Sequence, residues 1–371
     1  MFTILHTADV HLDRAFGGLG MTSAIASARR QELRDAFRRF IDLALEVRAD
    51  AVTIGGDLYE HERLTLDTGN FLRQQFGRLG SVPVLVAAGN HDPYLPDSLY
   101  RRIDWPPNVT IFGEPRFRAV ALAPGITIWG AGHDGPSLRD NLVGSLRVAG
   151  DGVHLLLFHG SDVQSVPEGK SAHCPFRAEE IAASGAHFAL LGHYHAPRIG
   201  GGNRSLFAYP GSPEPLDFSE DGEHCVLRLE IDGGEIRPQL LPFGSVRYRT
   251  HHIDVTGMIT SEEVRSAIAS QAEASAIGRI VLAGDLQPEV DLDIGALYNS
   301  CAEAFAYLEI VDRTRLAYDL DELAEESTTK GAFVRLLRAR IDSLTGGERE
   351  IAERALVAGL RAFEGRRVEA L

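Results

Sequence analysis

The sequence predicts an α/β protein in which two packed β-sheets are flanked by helices, followed by a small α+β domain and a C-terminal helical tail. Three observations predict it. Strand-like and helix-like apolar patterns alternate from residue 1 to 245, as they do in successive βαβ units. The pattern changes at Pro242-Phe243-Gly244, and residues 246–315 then mix strands with helices in a new order. Five short segments that end strand-like runs carry residue types able to hold metal ions.

A chain of 371 residues is too long for one small core, and we read it as three parts: 1–245, 246–315 and 316–371. The apolar fraction of 44% is that of a globular protein. No run approaches the ~18 apolar residues of a bilayer span, so no membrane partner is expected. The N-terminus lacks a basic signal-peptide region and reads directly as a strand. Cys174, Cys225 and Cys301 are odd in number and far apart, which fits a reduced, cytoplasmic setting better than a disulfide framework. The formal charge of −15 argues against generic electrostatic capture of nucleic acid, though not against a local basic groove. The basic residues are almost all Arg; Lys170 and Lys330 are the only lysines.

Taken in order, residues 2–7 read as a strand and Phe16-Gly-Gly-Leu-Gly20 as a glycine-rich loop. A helix follows over 26–48, with Leu33, Phe37, Phe40, Ile41, Ala44 and Leu45 at helical spacing toward the sheet. A strand at 51–54 completes a βαβ unit. A helix over 68–79 and a strand over 82–88 come next, then strands at 109–112, 126–129, 154–158, 187–191, 206–209 and 225–231. The later strands show no intervening helices, so the second sheet is expected to be antiparallel. Beyond residue 246 the pattern reads strand (248–255), helix (262–274), strand (279–283), short strand (289–292), helix (294–306) and strand (307–311). Thr260-Ser-Glu-Glu263 fits a capping box. Charged residues 312–330 read as a linker. Two amphipathic helices close the chain, one carrying Phe333, Leu336, Leu337, Ile341 and Leu344, the other Ile351, Ala355, Leu356, Leu360 and Phe363.

The chemistry lies at the strand ends. Asp9-Val-His11 places a carboxylate and an imidazole two residues apart, on one side of an extended chain. Gly55-Gly56-Asp57 ends a strand with glycines where the chain must turn close to an ion, and a carboxylate has two oxygens with which to bridge two metals. Gly89-Asn90-His91-Asp92 supplies a neutral amide beside an imidazole. His159 follows Leu155-Leu-Leu-Phe158, and Gly192-His193-Tyr194-His195 offers two more imidazoles. Ligands at the carboxyl ends of strands in an α/β sheet converge on one crevice, so residues far apart in sequence can form one polar site.

These ordered motifs resemble those of the calcineurin-like metallophosphoesterases. Within that superfamily the chain is similar to the SbcD-type DNA repair nucleases, and more closely to their YhaO-like branch. Ala8-Asp-Val-His-Leu-Asp13, Gly56-Asp-Leu-Tyr59, Gly89-Asn-His-Asp-Pro93 and Tyr209-Pro-Gly-Ser212 carry the narrower match. The resemblance implies a metallophosphoesterase sandwich over 1–245, a cap domain over 246–315, and a linker with a partner-docking helical hairpin over 316–371. It implies one metal held by Asp9, His11, Asp57 and His195, and a second held by Asp57, Asn90, His159 and His193. His91 would stabilise the transition state or protonate the leaving oxygen. The metals would be two divalent ions, manganese by resemblance, with iron or zinc as alternatives that suit the mixed N/O ligands. The implied function is a phosphodiesterase that cuts DNA as exonuclease or endonuclease. Its implied partners are DNA and an SbcC-like coiled-coil ATPase, and a homodimer is compatible with it.

One departure concerns substrate. Many SbcD-type nucleases place a histidine three residues after the bridging aspartate; here that residue is Glu60, and His61 follows. A shift by one residue would let His61 contact substrate, whereas an inward Glu60 would repel phosphate. Tyr209 is a second candidate substrate contact, or else a packed aromatic before a turn. His133 and His173 read as loop residues, and His6, His154, His187 and His224 as core or edge histidines. Two alternatives remain: a small-molecule or nucleotide phosphoesterase, which the acidic charge favours, and a non-catalytic assembly subunit, which the full ligand set disfavours.

Overall fold

A computed structural model of the chain describes residues 1–16, 21–166, 171–201, 206–274, 276–287, 290, 292–363 and 365. Most of the glycine-rich loop at 16–20, and residues 289 and 291 of the short strand expected at 289–292, lie outside the described residues. The chain forms two compact units, Met1–Tyr248 and Arg249–Leu371.

The first unit runs β1 (Phe2–Thr7), α1 (Ser23–Glu46), β2 (Ala51–Ile54), α2 (Leu66–Arg78), β3 (Val84–Ala87), α3 (Leu99–Arg102), β4 (Val109–Phe112), β5 (Arg118–Ala123), β6 (Ile126–Gly130), α4 (Leu142–Ser145), β7 (Val153–His159), α5 (Ala178–Ala183), β8 (Phe188–Gly192), β9 (Arg198–Gly200), β10 (Phe207–Tyr209), β11 (Cys225–Asp232) and β12 (Glu235–Pro242). One sheet has the order β12-β11-β1-β2-β3-β4, with β1 to β4 parallel and β11 antiparallel to β1. The other has the order β5-β6-β7-β8-β10-β9. Its inner strands β6, β7, β8 and β10 are parallel, and only β5 and β9 at its edges run antiparallel. The expected antiparallel second sheet is therefore corrected. The crossovers to β7 and β8 carry helices of four and six residues, α4 and α5, too short to leave a periodic apolar signal. Likewise β11, expected in the second sheet, joins the first.

Alternation along the strands explains how two sheets pack. Leu155 and Leu157 of β7 face the first sheet, in one cluster with Ile4, Leu85, Ala87 and Phe112. Leu156 and Phe158 face the opposite way, in a cluster with Val143 of α4 and Ile181 of α5. Both faces are buried, so β7 reads as a continuous apolar run, as central strands of parallel sheets do. On the outer side of the first sheet, α1 buries Leu33, Phe37, Phe40 and Ile41.

The two sheets approach closely at the ends of β2 and β8. A Cβ on Gly55 would lie 2.8 Å from the Gly192 nitrogen and from the Leu191 carbonyl carbon, both backbone atoms that have no side chain to move aside. Gly55→Ala is therefore expected to cost about 1–3 kcal/mol through overpacking and to weaken metal binding by shifting Asp57. Thermal unfolding with and without metal checks both effects.

The second unit contains most of β13 (Arg247–Asp254), then α6 (Ser261–Ala269), β14 (Ala276–Leu286), α7 (Ile294–Cys301), β15 (Tyr307–Leu316), α8 (Leu320–Glu325), α9 (Thr329–Asp342) and α10 (Gly346–Phe363). Strands β13, β14 and β15 form a three-stranded sheet, with β14 and β15 parallel. The capping box at Thr260 and Glu263 is present. Val264 and Ile268 of α6 and Leu297 of α7 share a core with Ile280, Leu282 and Leu308 of the sheet. Residues 312–330, read as a linker, hold the end of β15 and a helix, α8, capped by Asp319. In the tail, Val334, Ile341, Leu356 and Leu360 form a small core. Leu336 and Ile351, expected on the packed faces, are instead 71% and 65% exposed. Among the described residues no helix is long and apolar enough to cross a membrane.

Candidate metal centre

The loops after β1 and β2 continue side by side beyond their strands. Asp9 N–H donates to the Gly56 carbonyl, His11 N–H to Asp57 and Leu12 N–H to Leu58, each at 3.0 Å. A parallel bridge joins Leu12 to Tyr59. This pairing brings Asp9, His11 and Asp57 together, and all three are buried. Asp92 fixes the third loop to the second. Its carboxylate accepts the N–H groups of Asp57 (3.0 Å), Leu58 (2.7 Å) and Gly89 (2.6 Å) and the Tyr100 hydroxyl (2.5 Å). The aspartate of Gly-Asn-His-Asp thus ties two site loops into one rigid turn.

The backbone is strained where the chemistry is. Asp9 (φ 53°), His11 (φ 50°), Asp57 (φ 50°) and His193 (φ 112°) all lie in the left-handed region, which L-residues occupy at a cost of about 1–2 kcal/mol each. Such outliers are held only where surrounding bonds over-determine them. At His193 those bonds are visible: its N–H donates to both Asp9 oxygens, at 2.9 and 3.0 Å.

The structure brings Asp9, His11, Asp57, Asn90, His159, His193 and His195 into one cluster. Asp9, His11 and His195 offer ligand atoms within 4.8 Å of one another, and so do Asp9, Asp57 and His159. His159 Nε2 lies 3.1 Å from Asn90 Oδ1, 3.2 Å from His193 Nδ1 and 3.3 Å from Asp57 Oδ2. His11 Nε2 lies 3.3 Å from His195 Nε2.

The proton positions test whether these residues fit a metal. His11 Nδ1 faces Glu60 Oε1 at 2.9 Å, and His195 Nδ1 faces Glu220 Oε1 at 2.6 Å. Each Nδ1 therefore carries the proton, and the two Nε2 lone pairs point at each other. His159 Nδ1 donates to the Gly55 carbonyl at 2.9 Å, so its Nε2 lone pair meets an amide oxygen, a carboxylate and another imidazole. Acceptors converging on acceptors need cations between them. Carboxylates and a carbonyl behind ligating imidazoles are the usual second layer of a metal site. The donor set of N and O atoms fits divalent ions.

Without a metal, protons take that place. Burial alone would lower His159, but the Asp57 carboxylate outweighs it and holds the imidazole up at about 9. Burial alone would raise Asp57; His159, His11 and His91 hold it well below the usual carboxylate range. Burial and the neighbouring His159 push His193 down to about 2. Burial would lower His195 too, and Glu220 raises it instead. A metal held at His159 would have to expel this proton to bind. Metal affinity is therefore expected to rise with pH, about tenfold per unit for each proton displaced, and to level off above about pH 9. Calorimetry in buffers of different ionisation enthalpy counts the protons released.

His91 stands at the rim, its side chain 45% exposed, with Nδ1 2.9 Å from Glu60 Oε2. Glu60 thus joins His11 and His91 through its two oxygens. The Glu60 hydrogen bond raises His91 to about 9. Burial would raise Glu60, and the two imidazoles bring it down to about 2. Its charge is spent on these histidines, so the expected repulsion of phosphate does not apply.

Of the two expected substrate contacts, His61 neighbours His91, donating its N–H to the His91 carbonyl at 2.8 Å, whereas Tyr209 lies in the core. His61 Nε2 sits 3.5 Å from Asp97 Oδ1. Tyr209 is fully buried; its hydroxyl donates to the Gly160 carbonyl (2.7 Å) and accepts the Asp162 N–H (3.0 Å). Tyr209 braces the loop after His159 and has no atom to offer a substrate. Two histidines read as loop residues are neighbours of the cluster. His133 is buried, its ring 5.5 Å from that of His159, and the His173 ring lies 5.3 Å from that of His193. His6 is the core histidine expected, bonded to Thr53 and Leu191 and lowered by burial to about 4. Glu60, Asp92 and Glu220 are the supports that sequence reasoning missed.

Comparison with known proteins agrees with this geometry. YhaO of Bacillus subtilis, an uncharacterized metallophosphoesterase, is 29% identical over 267 residues, 68% of this chain and 63% of that protein. The DNA double-strand break repair protein Mre11 of Aeropyrum pernix is 30% identical over 236 residues, 58% of this chain and 54% of that one. The SbcD component of the nuclease SbcCD of Bacillus subtilis is 25% identical over 260 residues, 59% of this chain and 63% of that one. The chain spans less than two thirds of the length of each of these relatives. Residues 2–197 match the calcineurin-like phosphoesterases, a stretch that is more than half of the chain and holds all seven clustered residues and His91. On that match the chain belongs to the calcineurin-like phosphoesterase family, hydrolases that use divalent metals.

Proposed function

We propose that this protein is a two-metal phosphodiesterase acting on DNA, the nuclease subunit of an SbcCD-like repair complex. The observation that carries the reading is the pair of acceptor clusters meeting at Asp57, with His91 exposed beside them. In this reading Asp9, His11, Asp57 and His195 hold one ion, and Asp57, Asn90, His159 and His193 the other. Two such ions, manganese in this reading with iron or zinc as alternatives, would supply Lewis-acid chemistry toward the phosphate and the attacking water near neutral pH. His91 holds the proton for the leaving oxygen. Its Nδ1 is committed to Glu60, which leaves Nε2 as the atom that donates. Glu60 and Glu220 keep His11 and His195 in the tautomer whose Nε2 is free.

The names of the Mre11 and SbcCD relatives support DNA as substrate. Division of the chain into a nuclease domain (1–245), a cap (246–315) and a docking segment (316–371), and a cytoplasmic site of action, belong to the same reading. The exposed Leu336, Ile351 and Phe363 supply apolar surface on which a coiled-coil ATPase partner would dock. A homodimer is also consistent with this reading.

The test is cleavage of single- and double-stranded DNA ends in manganese, with Asp57→Ala as control. No cutting in any metal, even with an ATPase subunit present, overturns the DNA reading. The second reading, a small-molecule phosphoesterase, is favoured by the net charge of −15. It predicts turnover of bis-p-nitrophenyl phosphate or cyclic nucleotides far faster than DNA.

A further inference from the structure

We propose that a cleft beside His195 holds a nucleobase of the substrate, an inference that rests on the phosphodiesterase reading above and names what the site grips besides phosphate. The cleft has a volume of about 630 Å³, the size of a ligand pocket, and is lined by Tyr194, His195, Pro197, Arg198, Glu220 and Glu223, among others. It opens at one of the clustered histidines, so a group attached to a phosphate at the metal centre can reach it.

Its walls select against charge and for an aromatic ring. Glu220 and Glu223 bring carboxylates to the cleft. Arg198, the one arginine on its wall among the described residues, is already engaged: its guanidinium lies 3.2 Å from Asp162 Oδ2 and donates to the Ser165 hydroxyl. Glu220 turns its oxygens to His195, Ser212 and the Leu216 N–H, so Glu223 is a carboxylate that a second phosphate would meet there. An uncharged ring with N–H groups would meet acceptors. Tyr194 supplies the flat surface. It is the residue between the two histidines of Gly-His-Tyr-His, its ring 5.2 Å from that of His193. The Tyr209 ring meets it edge-on at 5.0 Å, and the Tyr194 hydroxyl donates to the Asp162 carbonyl at 3.2 Å. The Tyr194 ring is thus held rigid. Base stacking on a fixed aromatic is tolerant of base identity and needs the base unpaired. The nucleobase can come from a strand end or from a small nucleotide ester.

The experiment compares KM in manganese for an oligonucleotide, the same oligonucleotide with abasic terminal residues, the dinucleotide thymidylyl-thymidine, and its base-free counterpart. Removing the bases is expected to raise KM about tenfold or more, the scale of one base–aromatic stack. Tyr194→Leu is expected to raise KM on the base-bearing substrates by the same factor and so level the pairs, while Tyr194→Phe restores the preference. A preference in the oligonucleotide pair assigns the cleft to strand ends, and one confined to the dinucleotide pair assigns it to small esters. Equal KM with and without bases in the wild-type protein overturns the proposal. So does a Tyr194→Leu protein that loses kcat equally on both members of each pair, since Tyr194 would then only support His193 and His195. If DNA is not cut while bis-p-nitrophenyl phosphate is, the DNA reading fails and the dinucleotide pair decides the cleft by itself.

Discussion

Asp57→Ala is expected to lower kcat/KM on any phosphodiester by about three orders of magnitude or more. Asp57 is the residue on which both acceptor clusters depend. Its Oδ2 lies 3.3 Å from His159 Nε2 and 3.7 Å from His11 Nε2, and its Oδ1 accepts the His91 N–H at 2.8 Å. Removing it takes the counter-charge from a buried imidazole, a carboxylate from the residues that would hold metal in the proposed reading, and the backbone anchor from His91. Asp57→Asn separates these effects, because the amide keeps the size and the bond to the His91 N–H while losing the charge. We expect it to be as inactive as the alanine variant and to hold less metal per chain by elemental analysis. An asparagine variant retaining a tenth of wild-type activity would show that the charge is not what matters.

Glu60→Gln is expected to cost about 10- to 100-fold in activity near pH 8 and to change the shape of the pH profile. Glu60 raises His91 to about 9, so His91 carries its proton throughout the neutral range and loses it only as pH rises through that value. Without the carboxylate, the proton is lost nearer the ordinary imidazole value of about 6.5. The alkaline limb of kcat should therefore move to lower pH, and the variant should look least impaired in mild acid. An unchanged alkaline limb in profiles from pH 5 to 10 would remove His91 as the proton donor.

The clustered residues were legible because their chemistry and their position agree. Asp9, Asp57 and His159 each terminate a run that can only be a buried strand, and few residue types at such ends serve anything but a site. The residues behind them were not legible. Glu220 reaches His195 from 25 positions away, and nothing in its neighbourhood marks it as other than a surface acid. Glu60 read as a liability because its direction depends on the Leu12–Tyr59 bridge and on the Glu60 N–H bond to the Leu12 carbonyl, which no local pattern announces. The same limit hid the parallel second sheet. Helices of four and six residues satisfy the crossover without repeating an apolar position often enough to be seen.

The four left-handed residues of the metal centre set a boundary on engineering. Glycine at Asp9, His11, Asp57 or His193 would relax the backbone there and delete a proposed metal-holding side chain in the same step. Selection for thermal tolerance in the absence of metal would therefore drift toward variants that fold better and hydrolyse nothing. Libraries screened with metal present would escape that drift, because bound ions stabilise only the strained arrangement.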